Sequence, residues 1–428
     1  LNDPFGPVRD FESYLEDCRE SENCVRDSRG IKSKTLLSDL KYFKNPAWST
    51  NIDYMHSVLE GVIKRFFKAW FEDTVEKTID DEYNYSLKPY ITLINNRLMK
   101  IKPPSYIPVC ARSITEYHHW RANEFLTFFI YYMLPVFNGF MRQVFYVNIT
   151  KLVVALEYLL NREIKVNYID QVKDILKHFV KEAQAIYPEN IMLSGMHELL
   201  HLADCTKIFG PMNVMSCFPF EEVNRKILRI ISGKDLIGDE FLYNFSILQS
   251  LTNYCNLSKN SKLAEYINKY NIIKTTNKKI IHEKGIKLGP VSYLNKDQIK
   301  VLLRIASNLD IVNAQVCYRL RIDGVLYTSV LNQSKRGDFS ITTGVNHGII
   351  QFFLIKDNNI SIIAKKLSSL ATTFFVKENP LIKSALTLCN LSDEYFIASV
   401  VKIKKIFYIQ ISEDLNFYST FSISHLFL

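Results

Sequence analysis

The residues best suited to chemistry fall into three short pieces: Asp53-Tyr54-Met55-His56, His197-Glu198-Leu199-Leu200-His201, and the acidic pair Glu221-Glu222. His197 and His201 are four residues apart. On a helix their imidazoles therefore leave the same face about one turn apart, where both can reach one zinc ion. Two ligands do not complete a zinc site. In a peptidase reading Glu198 is the general base that polarises a zinc-bound water, and Glu221, twenty residues past His201, supplies the third ligand from a later helix. The same spacing is met by ordinary histidines on a long helix, and nothing else in the chain looks like a peptidase.

Asp53 stands just before a long apolar helix, the place of an amino-terminal cap, and His56 would share its face. Glu221 and Glu222 follow Ser216-Cys217-Phe218-Pro219-Phe220, and proline is favoured in a first helical turn, where the helix dipole also favours acids. Arg225 lies four residues past Glu221, the spacing of a surface ion pair, although the carboxylate is equally suited to a divalent metal. Trp120-Arg121 joins an aromatic ring to a cation, a combination that stacks on an unpaired base and grips a phosphate; its commoner use is a core anchor beside a surface charge. With Arg225 and Lys226 these two are the candidate DNA contacts.

The elements that must position these residues are mainly helical. Met55, Val58, Leu59, Val62, Ile63 and Phe66 repeat at three and four, and further helices are expected near 116–134, 142–161, 166–186, 190–205 and 219–232. The last of these should bury Val223, Ile227, Ile230 and Ile231. Pro103-Pro104, Pro108, Pro188 and Gly210-Pro211 mark breaks. Residues 1–50 read as an irregular lead-in, 51–255 as a helical region, and 256–295 as a basic linker carrying Lys259, Lys262, Lys269, Lys274, Lys278, Lys279, Lys284 and Lys287. Residues 296–428 read as a β-rich domain: a helix over Lys296–Ser307, then short β-branched runs at 316–322, 325–331, 339–343, 348–355, 360–364, 395–403 and 406–411, separated by Asp-Gly, Arg-Gly-Asp and Asn-Asn turns. The fold class is α+β, ending in a small antiparallel barrel or sandwich.

Composition narrows the class. With 428 residues, 47% hydrophobic, the chain can bury one large core or two, its length suggests two or three domains, and its net charge of +9 suits a polyanionic partner without requiring one. No two of the eight cysteines have the two-residue gap of a zinc knuckle, so reduced thiols in an intracellular protein are expected. The most apolar stretch, 125–137, is too short to cross a bilayer and holds Pro135, so it reads as a buried helix and no membrane partner is expected. The first residues, Leu-Asn-Asp-Pro, include no initiator Met, so either a leading segment was removed or the sequence is a fragment.

Taken in order, several stretches resemble the transposases of animal CACTA (En/Spm-like) DNA transposons. They are Gly30-Ile31-Lys32, Leu40-Lys41-Tyr42-Phe43, Asp53 to Val62, Asn96-Arg97-Leu98 with Ile101-Lys102-Pro103-Pro104, Trp120 to Phe125, Tyr132 with Pro135, His197-x-x-Leu200-His201-Leu202, and Phe209-Gly210-Pro211 followed by Ser216 to Glu221. They cover roughly residues 28–235; in the tail, 318–327 and 348–353 resemble the module that follows such a core. The resemblance implies an RNase H-like catalytic domain with a helical insertion, in which three acids hold two Mg²⁺ or Mn²⁺ ions for strand cleavage and transfer. It makes Glu221 the third acid and places Asp53 and His56 near the active centre. It makes His197 and His201 half of a structural zinc site completed by an upstream Cys-x-x-Cys.

Here the sequence departs from the family. The first two aspartates and the Cys-x-x-Cys should precede Asp53, yet residues 1–52 offer only Cys18 and Cys24, wrongly spaced, and no acid motif among Asp3, Asp10, Asp17 and Asp27. The resulting expectation is a transposase-derived nuclear protein, a fragment or relic that is catalytically incomplete as it stands. Its partner would be DNA at transposon ends, and the intact enzyme would be a homo-oligomer. The alternatives are a zinc metallopeptidase and a non-catalytic DNA- or protein-binding module built on the β-rich tail.

Overall fold

The computed structural model describes residues 10–23, 28–42, 49–73, 81, 84–107, 109–233, 235–257, 281–282, 286–306, 310–332, 335–357, 359–376, 379–412 and 415–419. The chain divides into two compact units: Leu1–Leu98, Arg112–Ser216 and Phe374–Ser384 form the first, and Met99–Ala111, Cys217–Thr373 and Ala385–Leu428 the second.

In the first unit, the apolar spacing after Tyr54 becomes α2, which runs as a π-helix over Met55–Ile63 and as an α-helix over Lys64–Phe71. Val58, Leu59, Val62, Ile63, Phe66, Phe67 and Trp70 are all buried, so the three-and-four repeat is the core face. The aromatic run becomes α4: α-helical over Ala122–Thr127, π-helical over Phe128–Tyr132, and α-helical again over Met133–Phe137. The π turn lies just ahead of Pro135, whose missing N–H breaks the regular ladder. Between these, α3 spans Ile91–Lys100, and Arg97 donates to the carbonyls of Val136 (3.2 Å) and Asn138 (2.6 Å) at the end of α4.

Helices α5 (Gln143–Leu159) and α6 (Val166–Ile186) pack together: Asn148 Nδ2 donates to Phe179 O at 3.0 Å, and the buried Lys151 ammonium pairs with Glu182. Helix α7 is α-helical over Ser194–Glu198, tightens to a 3₁₀ turn over Leu199–His201, and continues over Leu202–Phe209 until Gly210, at φ 93°, ends it. No described helix is long and apolar enough to cross a membrane.

Two expectations are corrected by this architecture. Within the expected irregular lead-in, Phe11–Asn23 is helical (α1), burying Tyr14, Asp17, Cys18 and Ser21. That stripe has helical spacing, but two of its four members are polar, and hydrophobic periodicity does not register them. Helix α8 (Phe218–Arg229) is present, but none of its residues is buried, and Val223 is 51% exposed. An amphipathic repeat says which face is apolar, not that a partner covers it. The helix over 296–307 is α10, Lys296–Ile305, fixed by a reciprocal cap in which Asn295 Oδ1 accepts from Gln298 N–H at 2.9 Å and Gln298 Oε1 from Asn295 N–H at 2.8 Å. Preceding it, α9 spans Ile237–Leu257.

The second unit is built on antiparallel strands: β1 Ile281–His282, β2 Ile286–Leu288, β3 Val291–Tyr293, β4 Gln315–Cys317, β5 Arg319–Ile322, β6 Val325–Thr328, β7 Ser340–Thr342, β8 His347–Lys356, β9 Asn359–Val376, β10 Asn379–Ser399, β11 Lys404–Lys405, β12 Phe407–Gln410 and β13 Asn416–Ser419. Strands β1, β2, β5 and β6 form one small sheet in that order; the larger, curled sheet runs β11-β7-β8-β9-β10-β13-β12, with β4 on β8 and β3 on β4. The curl follows from one short segment, since β11 pairs with β7 and β12 with β13, drawing the two edges of the sheet together. The expected strand over 316–322 is split between the two sheets, and those expected at 360–364 and 395–403 are parts of β9 and β10. Asp323 (φ 45°) and Gly324 (φ 84°) make the tight β5–β6 turn. The Arg-Gly-Asp turn anchors the Pro103-Pro104 segment: Gly337 N–H donates to Pro103 O at 2.9 Å and Arg336 Nη1 to Ile107 O at 2.6 Å. A Cβ on Gly337 would stand 2.1 Å from Lys102 O, so only glycine fits. The lysines expected in a basic linker lie outside the described residues, except Lys287 in β2.

Candidate functional site

Asp53 caps α2, with Oδ1 accepting from Met55 N–H at 3.3 Å and Oδ2 from His56 N–H at 3.2 Å. The same Oδ2 lies 2.6 Å from His56 Nδ1, so the cap also fixes the imidazole. The Asp53 side chain is 17% exposed and that of His56 54%, which puts an oriented imidazole at the surface. The helix it opens is π-helical, a form that recurs at functional sites because its wider turn re-aims side chains.

Beside this pair lies a cleft of about 550 Å³, formed by the start of α2 and the start of α7 and lined by Asp53, His56, Ser57, Arg65, Ser194 and Glu198 among others. Arg65 is held by Asp73 (Nη2 to Oδ2, 2.9 Å) and by Asn190 O (from Nε, 3.2 Å). Its Nη1, and the Ser57 hydroxyl, are buried without a hydrogen-bond partner. A polar ligand in the cleft would satisfy both. Gly195 keeps the two walls close, since a Cβ there would come within 3.0 Å of Val62 Cγ2.

On α7 the His197 and His201 Nε2 atoms are 3.1 Å apart. Two nitrogens bound about 2.0–2.1 Å from a tetrahedral zinc stand roughly 3.3 Å from each other, so the pair fits half of such a site. Burial lowers the His201 pKa first, and the neighbouring His197 lowers it further, favouring the neutral, ligating form. Glu198 lines the cleft, whereas neither histidine does.

The chain returns to Asp53 at the end of the first unit. Asn51 Nδ2 donates to Met215 O at 3.4 Å, and burial pushes the ionisation of the Tyr54 hydroxyl strongly upward, with Ser216 opposing the shift. Ser216 is the last residue of this stretch of the first unit, and Cys217 opens the second. The cleft brings two carboxylates, Asp53 and Glu198, to its walls, whereas a pair of Mg²⁺ or Mn²⁺ ions needs several bracketing acids.

The remaining candidates are placed differently. Glu221 stands exposed in the first turn of α8, its N–H bonded to Cys217 O at 2.9 Å. Arg225 pairs with Glu222 rather than Glu221 (Nε to Oε2, 2.7 Å), and Lys226 lies 3.8 Å from the same carboxylate, which these cations hold below the usual range. Trp120 is 6% exposed, packs against Phe67, Phe125 and Phe128, and donates its indole N–H to Ser113 O at 3.2 Å. Its faces are taken, so the expected base-stacking role is corrected to a core anchor, while Arg121 beside it is exposed. Ser57 and Arg65, which line the cleft, were not singled out by spacing.

No protein-family model matches the chain, and neither a curated protein nor a solved structure gives a significant match.

Proposed function

We propose that this chain is transposase-derived: the carboxyl-terminal part of a DDE-type, RNase H-like core of the CACTA kind with its helical insertion, followed by a β-rich tail. By itself it lacks a complete catalytic centre. The observation that carries the reading is a convergence. The Asp53-x-x-His56 piece and the Phe209-Gly210-Pro211 run leading to Ser216 carry the resemblance from opposite ends of the first unit's helical region, and they meet through Asn51 and Met215, 164 residues apart. Motifs that serve one active centre must converge in this way. The His197–His201 pair supports the zinc half-site of the same reading, to be completed by cysteines that residues 1–52 do not supply. Incompleteness rests on residues 1–52 offering no acid motif for the two aspartates that the resemblance implies, because two-metal strand cleavage needs acids on both sides of the phosphate. The partner is DNA at transposon ends, met in the nucleus, and the complete enzyme works as an oligomer.

Strand cleavage with Mg²⁺ or Mn²⁺ on duplex and nicked DNA tests this. The expected result is no cleavage above background, with DNA binding that weakens steeply as salt rises, since phosphate contacts release counterions. Robust cleavage abolished by Glu221→Gln would overturn the incompleteness, and no DNA binding even at low salt would count against the whole reading. The zinc metallopeptidase reading draws on the same 3.1 Å imidazole pair. It requires zinc-dependent proteolysis that disappears in Glu198→Gln.

A further inference from the structure

We propose that the cleft between α2 and α7 is a binding site for a guanine nucleotide, with Glu198 taking the base and Arg65 the phosphate. All of its walls belong to the first unit. Its volume of about 550 Å³ is that of a small-molecule site, and Val62, Ile191, Leu193 and Met196 give it apolar sides against which a flat ring can lie. The polar groups stand at its two ends. Ser57 and Arg65 are eight residues apart on α2, at most about 12 Å along the helix axis, with Gly61 between them contributing no side chain. Helix α7 runs the other way: Asn190 O, just before it, meets Arg65, and Gly195 lies against Ser57, its Cβ position being 3.9 Å from Ser57 Oγ. Glu198, three residues past Gly195 and so on the same face, therefore belongs to the Ser57 end.

The two ends ask for different partners. At one, the Arg65 guanidinium is oriented by Asp73 and by Asn190 O, while its Nη1 is buried with no partner, a donor held ready for an anionic oxygen. Asp73 already balances the arginine charge, so this end offers a directed hydrogen bond rather than a general attraction for anions. At the other end Asp53 is engaged by the cap and the His56 ring, which leaves Glu198 as the carboxylate for a ligand and the buried, partnerless Ser57 hydroxyl as a donor beside it. An ionised carboxylate only accepts, so it selects an edge with adjacent donors. Among the bases guanine alone places two donors side by side, N1–H and the 2-amino group, with the O6 acceptor next to them for Ser57. Adenine and cytosine set a ring-nitrogen acceptor beside their amino group, and thymine has a single N–H between two carbonyls. Each of these turns an acceptor toward Glu198. A nucleotide carries its phosphate remote from the base edge, which matches the order of groups along the cleft.

Calorimetric titration of the full chain with dGMP, dAMP, dCMP and dTMP tests the assignment. dGMP is expected to bind about tenfold or more tightly than the others, within the discrimination of a bidentate base contact. Glu198→Gln keeps the shape of the side chain and should remove most of that preference. Deoxyguanosine, which lacks the phosphate, should bind the unaltered protein about tenfold more weakly than dGMP, and that gap should shrink in Arg65→Lys. The same edge belongs to a free nucleotide and to an unpaired guanine in a DNA strand. A thymine oligonucleotide with one central guanine separates the two: if it displaces dGMP and the all-thymine strand does not, the cleft takes a base from a strand, and dGMP binding without displacement assigns it to a free nucleotide. The site does not depend on the transposase reading, which stands or falls by its own cleavage and salt tests. The proposal is overturned if no nucleotide binds at about millimolar concentration, if all four bind alike, or if the guanine preference survives Glu198→Gln.

Discussion

Asp338 and Lys405 form an ion pair closed to solvent on both sides: Nζ lies 2.5 Å from Oδ1, and the two side chains are 0% and 6% exposed. Asp338 Oδ1 also accepts from Ser105 N–H at 2.8 Å, and Lys405 Nζ donates to Ser105 Oγ at 2.9 Å. The pair thus ties the segment after Pro103-Pro104 to the strand that closes the sheet. Burial lowers the Lys405 ammonium, and Asp338 opposes that shift. Breaking such a pair strands a charge in a poor dielectric. Asp338→Asn is therefore expected to cost about 3–5 kcal/mol of stability in urea unfolding, and pairing it with Lys405→Met should recover part of the loss.

The imidazole pair makes stability depend on pH. In the unfolded chain His201 titrates near its ordinary value of 6.5, and in the folded protein lower, because of burial and then His197. Between those two values the unfolded state binds more protons, so this contribution is full above the unfolded pKa and is lost as pH falls toward the folded one. The urea midpoint should therefore drop on going from about pH 7 to about pH 5, and His201→Gln should flatten part of that slope. An unchanged slope in the variant would mean that His201 does not carry the effect.

Local rules made much of the site legible. The Asp53 cap follows from a polar residue before an apolar repeat, and the His197–His201 pair from a four-residue spacing on one helix face. What local rules could not supply was the return of the chain to Asp53, which depends on Asn51 finding Met215 across the fold. The same limit applies in the tail. Strand β10 is 21 residues long, but Asn379-Pro380 and Ser392-Asp393-Glu394 interrupt its apolar pattern, so only its carboxyl-terminal end looks like a strand. The face of α8 was readable as apolar; whether it is covered is a property of its surroundings.

Arg97, part of one of the resembling motifs, has a structural use. Its guanidinium reaches the Val136 and Asn138 carbonyls and lies 4.0 Å from the centre of the Phe140 ring, a geometry that a lysine ammonium cannot reproduce. Arg97→Lys is expected to lower stability by about 1–3 kcal/mol, the worth of charged hydrogen bonds, despite keeping the charge. Thermal unfolding of the two proteins side by side checks this. Equal midpoints would show that the carbonyls are as well served by an ammonium.

Trp120 and Arg121 are neighbours with opposite burial, and they separate packing from nucleic-acid contact. Trp120 touches Phe67, Phe125 and Phe128 and has its indole N–H satisfied by Ser113 O, so Trp120→Ala should cost about 3–5 kcal/mol by leaving a core cavity. Arg121 is exposed, and its backbone N–H already bonds Glu124 Oε2 at 2.8 Å to start α4, a contact that Arg121→Ala retains. Stability should then move by less than about 0.5 kcal/mol in that variant. If the Arg121 side chain meets a phosphate, the same variant reduces the slope of log affinity against log salt by about one unit on any DNA sequence. Anisotropy titrations at several salt concentrations read that slope directly. An unchanged slope in Arg121→Ala would remove Arg121 from the DNA contacts without touching the reading of Trp120, which rests on stability alone.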